Sequence, residues 1–227
     1  MAKKVTRKKL LKEPDEFITT TGRLIRWARQ YRTLLTVAAS AFFVILIAIA
    51  GFRYLANQAE NRAFTLLGQA VIKYENLTNS MGPEKAYPAV KEDFMYIINK
   101  YKNKQGGKMA GLFFANLSLE AGSTDPAILL YERALKDWEY EASLKNFILN
   151  SLGYAYEQKH DYPQSIVYFQ KIAEGDDPVM KDVALFNLGR LYAELGDSAK
   201  SKEVFSRLIS DHTDSVYFEI AKERIAG

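Results

Sequence analysis

The sequence contains no cysteine, and that absence removes several chemistries together: no disulfide, no thiol nucleophile, no thiolate metal site and no lipidated-cysteine anchor. Histidine is nearly as scarce. Its two copies, His160 and His212, are expected in a helix-to-helix turn and an exit loop, where imidazoles are solvated. There is no H-E-x-x-H, no glycine-rich phosphate loop following a strand, and no G-x-S-x-G elbow. Glu139, Glu141 and the run Glu174, Asp176, Asp177 lack the spacing of a calcium loop. These absences predict a protein that is not an enzyme, with no catalytic residue, metal site or cofactor. Alternating apolar and polar residues are also missing, since no stretch sustains a period of two, and this argues against β-strands.

What is present begins with a run of twenty residues without a charge, Thr33 to Phe52. At about 1.5 Å per residue it covers the ~30 Å hydrocarbon core of a bilayer as one helix with every backbone group bonded internally. No other stretch is long and apolar enough. Ten Lys/Arg precede it (Lys3, Lys4, Arg7, Lys8, Lys9, Lys12, Arg23, Arg26, Arg29, Arg32) against Glu13, Asp15 and Glu16 alone. Positive charge beside a spanning helix is retained on the cytoplasmic side, so the expected layout is a cytoplasmic tail over 1–32, a transmembrane helix over 33–53 and an external domain over 54–227. Ala48-Ile49-Ala50 before Gly51 has the form of a cleavage site, but the amino region and the apolar run exceed signal-peptide dimensions. The arginines around Trp27 and Tyr31 set topology, with the aromatic pair as an interfacial anchor; binding to anionic headgroups is the alternative reading.

The overall charge of +4 belongs to the tail, because the remainder holds 21 basic and 24 acidic residues. Without a basic excess to neutralise phosphates, the large domain is not a nucleic-acid binder. Lacking disulfides, it must be held by its core, and its length and apolar content suffice for one. The sequons at Asn76 and Asn116 read as chance.

After Arg53 the periodicity is helical throughout, so the fold class is all-α. The membrane helix is expected to continue to about Tyr74, with Gly68 its only potential break, before Asn79 to Pro83 punctuates the chain. Further helices are expected over about 84–101, 108–120 and 125–138, with Asn103 to Gly107 ending the first of these.

The next two segments superimpose at a fixed offset of 36 residues. Leu149, Leu152, Gly153, Tyr156, Asp161, Ser165 and Phe169 recur as Leu185, Leu188, Gly189, Tyr192, Asp197, Ser201 and Phe205. The spacing L-x2-L-G-x2-Y, followed by a small residue and then Phe four later, resembles the tetratricopeptide repeat, whose usual period is about 34 residues. The glycines are expected where paired helices cross, opposite Ser165 and Ser201. One pair cannot bury its own apolar face, so pairs must stack. Ala127, Tyr131 and Ala134 resemble the second half of an earlier repeat, and Leu67-Gly68 with Val90 and Phe94 a degenerate first one. About four helix pairs plus a capping helix near 215–225 make a tetratricopeptide-repeat-like α-solenoid; an irregular helical bundle is the competing architecture.

A solenoid of helix pairs offers a concave wall, built from the first helix of each pair, that takes extended or helical peptide segments. At inner-wall spacing the candidate contacts are Phe147, Asn150, Ser151, Tyr154, Glu157 and Gln158, then Phe186, Asn187, Arg190, Ala193 and Glu194. Some of these are equally placed to pack within the domain. Asn150 and Tyr154 stand where the Lys and Asn of a carboxy-terminus clamp would be needed, so the wall suits broad, low-specificity contacts.

The whole layout, a basic tail with Glu13-Pro14-Asp15-Glu16-Phe17, one membrane helix and a divergent repeat domain, resembles the YfgM-like family of ancillary SecYEG translocon subunits. That resemblance implies a bacterial inner-membrane protein with a periplasmic domain. It further implies partners among secretion translocon subunits, periplasmic folding factors or client chains, and a non-enzymatic role in holding or passing on emerging polypeptides with periplasmic chaperones. A generic envelope scaffold in cell-wall synthesis, division or outer-membrane assembly is the alternative.

Overall fold

The computed structural model describes residues 16–226, and all regular structure among them is helical. The basic residues from Lys3 to Lys12 and the segment's Glu13, Pro14 and Asp15 lie outside the described residues. Ten helices follow in order: α1 (Glu16–Gln30), α2 (Arg32–Met81), α3 (Pro83–Lys100), α4 (Gln105–Glu120), α5 (Thr124–Asp137), α6 (Ala142–Gln158), α7 (Tyr162–Ala173), α8 (Lys181–Glu194), α9 (Ser198–Asp211) and α10 (Phe218–Ala226). The described residues divide into two units between Asn57 and Gln58.

In the first unit, α1 is a helix that sequence reasoning left unassigned. Tyr31 is the single residue between it and α2. Helix α2 carries no interruption at Gly51 or Gly68, and among the described residues it is the one helix long and apolar enough to cross a membrane.

In the second unit, helices pair in sequence and the pairs stack. Ala63, Leu67, Ala70 and Tyr74 of α2 are buried with Val90, Phe94 and Ile97 of α3 and with Phe114 of α4. Phe94 and Tyr87 both stack against Phe114, at centroid distances of 5.1 and 5.2 Å, so one aromatic layer joins the first pair to the second. Leu112, Ala115, Ala127 and Tyr131 form a middle cluster with Ile148, Leu152 and Ala155 of α6. A third cluster gathers Phe169, Leu185, Leu188, Phe205 and Leu208, and is closed by Ala221 of α10. Four helix pairs and a terminal helix are therefore stacked, as expected of the solenoid rather than of an irregular bundle.

The offset of 36 residues holds down to individual atoms. A Cβ on Gly153 would approach the Phe169 ring to 2.6 Å, and one on Gly189 would approach the Phe205 ring to 2.7 Å, so each crossing requires glycine. The Ser165 hydroxyl donates to the Gly153 carbonyl at 2.8 Å, and Ser201 donates to Gly189 at 2.8 Å. In each pair the first helix ends in a two-bond turn around a residue with positive φ. His160 N–H donates to Glu157 O and Asp161 N–H to Tyr156 O; Gly196 and Asp197 repeat this with Ala193 and Tyr192. Asp161 and Asp197 then cap the second helices, accepting from the Gln164 and Lys200 N–H groups.

Two expectations are corrected. Gly68 faces solvent with open space around it, so it marks no helix crossing; the close approach to α2 is made instead by Gly106, whose Cβ would lie 2.7 Å from that of Ala63. Gly106 and Gly107 consequently start α4 rather than end α3. Two bonds support the glycine-rich first turn: the Glu60 carboxylate accepts from the N–H of Gly106 at 2.7 Å and of Gln105 at 3.2 Å, capping the helix from a neighbouring one.

Candidate protein-binding face

The first helices of three successive pairs, α4, α6 and α8, place residues of one register side by side. Asn116, Tyr154 and Arg190 occupy equivalent positions, at offsets of 38 and then 36 residues. Tyr154 stands between two clefts. One, of about 420 Å3, is lined by Asn116, Leu119, Glu120, Tyr131, Ser151 and Gln158; the other, of about 570 Å3, by Glu157, Gln158, His160 and Tyr162. The Tyr154 ring rests edge-on against buried Phe169 at 5.5 Å, and its hydroxyl accepts from Asn187 Nδ2 at 3.0 Å. It is thus held in place while 40% exposed.

The residues expected on this wall divide by burial. Phe147, Tyr154, Gln158 and Glu194 are exposed, and Glu157 and Arg190 are half-buried. Asn150 and Asn187 are buried, and so is Ser151, whose hydroxyl donates to Phe147 O. Their amides therefore serve packing rather than contact: Asn187 also donates to Val183 O, while Asn150 Oδ1 has no protein partner among the described residues. Phe186 is likewise spoken for, because Tyr217 stacks on it at 4.3 Å and Phe205 packs behind it at 6.1 Å. Position 186 lies where the terminal segment covers the wall, which removes it as a contact.

Electrostatically the wall carries three carboxylates, Glu120, Glu157 and Glu194, against one guanidinium, Arg190. Both Arg190 guanidinium nitrogens Nη1 and Nη2 donate to the two Glu157 oxygens at 2.6 Å, a bidentate pair that raises the arginine above its usual pKa despite partial burial. Arg190 Nη2 also reaches Asn187 Oδ1 at 3.2 Å. The guanidinium is therefore already matched and offers no clamp for a peptide carboxylate. Glu120 accepts from the Tyr74 hydroxyl at 3.0 Å. Tyr131, buried beneath the first cleft, donates to Asn116 Oδ1, and burial pushes its hydroxyl pKa up to about 12.

Sequence reasoning missed Asn116 and Tyr131 as parts of this wall. The signal was available: sliding the pair α4–α5 forward by 38 residues lays Ala115 on Gly153, Asn116 on Tyr154, Ala127 on Ser165 and Tyr131 on Phe169. Among the described residues, no group of three or more His, Asp or Glu side chains is placed to hold a metal ion. His160 lies in the turn expected for it, and His212 caps the end of α9.

Stacked helix pairs with a continuous inner wall define a helical-repeat protein, a class whose members are in general non-catalytic protein-interaction modules. Within that class, residues 183–215 match the tetratricopeptide repeat family, which spans α8, α9 and the turn between them. No protein of curated function matches the sequence. Among solved structures, the chain is similar to BtubC (BKLC) from P. vanneervenii, with 15% identity and a TM-score of 0.58 over 76% of this chain and 75% of that one. A tetratricopeptide repeat protein from Parabacteroides merdae is similar at 14% identity and a TM-score of 0.55, over 71% of this chain and 59% of the other. A putative kinesin light chain with nearly identical TPR-like repeats, from Podosopora anserina, matches at 11% identity and 0.55, over 74% and 85%. At these identities the likeness establishes the helical-repeat fold and nothing about partners.

Proposed function

We propose that this chain is a membrane-anchored protein-binding module whose inner wall, centred on Tyr154, holds uncharged polypeptide segments. The supporting observation is the wall itself. An aromatic ridge with open clefts on both sides is fixed by packing, and the one cation beside it, Arg190, is already matched by Glu157. Extended segments lying across such a wall gain contact from ring faces and amides without a charge requirement, which gives breadth at the expense of affinity.

Anchoring supplies what the wall lacks. Residues 33–53 would fix the domain at a membrane, with the tail cytoplasmic and residues 54–227 periplasmic. Tethering beside a site where chains emerge raises the effective concentration toward the millimolar range, so weak, short-lived binding is sufficient. Placement at the secretion translocon, in company with periplasmic folding factors, follows from the resemblance in layout and is the specific form of the reading. A scaffold in cell-wall synthesis, division or outer-membrane assembly is the alternative for the same surface.

A photo-crosslinking amino acid at position 154 or 158, in the full-length chain in native membranes, tests the wall and its partner together. Control labels go at exposed Tyr140. Crosslinks at 154 and 158 to translocon subunits, folding factors or nascent chains are expected. Adducts to wall-synthesis or outer-membrane assembly proteins would transfer the reading to the scaffold. Equal labelling from position 140 would remove the inner wall as the binding face.

A further inference from the structure

Helix α1 is the part of the molecule that the proposed function leaves without a role. From Phe17 to Arg32 the chain holds four arginines and no acidic residue. At about 100° per residue, Leu24, Trp27, Ala28 and Tyr31 fall on one side of the helical projection, with Ile25 at the edge of that arc, and Arg23, Arg26 and Arg29 on the other. The apolar side chains are uncovered: Leu24 is 66% exposed, Ile25 56% and Trp27 53%. The Trp27 and Tyr31 rings lie 5.6 Å apart, making one continuous aromatic edge.

Two observations identify what covers that arc. First, α1 ends at Gln30 and the uncharged run of α2 starts at Thr33, so the chain itself places α1 within a few residues of any bilayer that α2 enters. The joint is a single residue: Tyr31 N–H donates to Trp27 O and Tyr31 O accepts from Leu35 N–H, while Tyr31 belongs to neither helix. Second, from Phe17 onward every charged side chain on the arc opposite the apolar ones is cationic, which matches a surface of acidic headgroups and not a neutral or basic one. A short helix with apolar residues and a tryptophan on one face and arginines on the other has the composition of an interfacial helix.

We infer that α1 docks in the plane of an anionic lipid surface, its Leu24, Ile25, Trp27 and Ala28 arc entering the headgroup boundary and Arg23, Arg26 and Arg29 pairing with lipid phosphates. The inference rests on the membrane-anchored reading and extends it, because the positive charges then bind lipid in addition to setting orientation. It makes the tail a second attachment whose strength depends on lipid composition, while the attachment through α2 does not.

The test uses the full-length chain in lipid nanodiscs of phosphatidylcholine alone or mixed with phosphatidylglycerol. Trp27 fluorescence is isolated as the difference between the native chain and its Trp27→Phe variant, since Trp138 is common to both. In anionic discs, Trp27 emission is expected to shift to shorter wavelength, to be quenched by lipid brominated near the headgroup, and to be shielded from aqueous acrylamide. Combined Arg23→Gln, Arg26→Gln and Arg29→Gln should reduce that shielding to the level seen in neutral discs without releasing the chain. Equal acrylamide quenching of Trp27 in both discs, with the chain still incorporated, would overturn the docking of α1 and leave the anchor standing. Recovery of the chain outside the discs would overturn the anchor and the inference with it. Shielding that appears only in native membranes, and never in pure lipid discs, would assign the arc to a protein partner and overturn the lipid assignment.

Discussion

Pairs α6–α7 and α8–α9 cross on glycine, with a phenylalanine ring filling the space a Cβ would take and a serine hydroxyl tying the second helix to the glycine carbonyl. Pair α4–α5 occupies the same register with Ala115, Ala127 and Tyr131. Its turn nonetheless has the same geometry: Gly122 has φ +75°, its N–H donates to Leu119 O at 3.0 Å, and Ser123 N–H donates to Ser118 O at 2.8 Å. Close helix approach in this register is therefore made with glycine in two pairs and with alanine in the third. Only the first leaves a conspicuous pattern in the sequence.

The largest break in this comparison should come from the ring. Phe169→Ala removes a side chain with no exposure at the centre of its cluster and is expected to cost about 3–5 kcal/mol in denaturant unfolding. A much smaller loss would mean the two pairs do not depend on the ring filling the glycine gap. The crossing residues come next. Gly153→Ala should destabilise by about 1–3 kcal/mol through overpacking, whereas Ala115→Gly should cost only about 0.5–1 kcal/mol of helix propensity. Equal effects would erase the distinction between the two kinds of crossing.

Tyr131 sharpens the comparison through pH. Its hydroxyl has a higher pKa folded than unfolded, so its contribution is complete below pH ~10 and is lost as pH rises from there through about 12. Unfolding followed across that window should show the loss in the native chain and a shallower one in Tyr131→Phe. That variant should itself cost about 1 kcal/mol at neutral pH by leaving Asn116 Oδ1 without its donor. Smallest of all is the turn. His160, with φ +62°, stands where the other two turns have glycine, so His160→Gly should stabilise by up to ~1 kcal/mol, with Gly196→Ala moving the other way.

The same contrast explains what was legible in the sequence. Gly153 and Gly189 could be read because glycine in mid-helix is costly and therefore needs a structural reason. The pair at α4–α5 was only half visible, since alanine is an ordinary helix residue and its two crossing positions carry no such cost. Gly106 reads as part of a terminator because its favourable interactions, the Glu60 carboxylate and close contact with Ala63, come from residues more than forty positions away. The exposure of Tyr154 and Gln158 beside the two clefts follows from spacing alone. The covering of Phe186 does not, because Tyr217 lies beyond the last repeat and outside any periodicity. Helix α1 is hard to see in the sequence because its arginines are already accounted for as topology signals.

The turns and the links between pairs also differ in how they can change over evolutionary time. Each turn spends one residue on positive φ and the next on a helix start, so a single insertion at Gly122, His160 or Gly196 would rotate the following helix off its partner. The links are more varied: Tyr101 to Lys104 and Trp138 to Glu141 are short and hold no positive φ, while Glu174 to Met180 is longer, carries Gly175 and Pro178, and ends on Met180 at φ +66°. Lineages of this protein should accordingly gain and lose residues between pairs, and lengthen or shorten by whole pairs, with α10 kept as the closing piece.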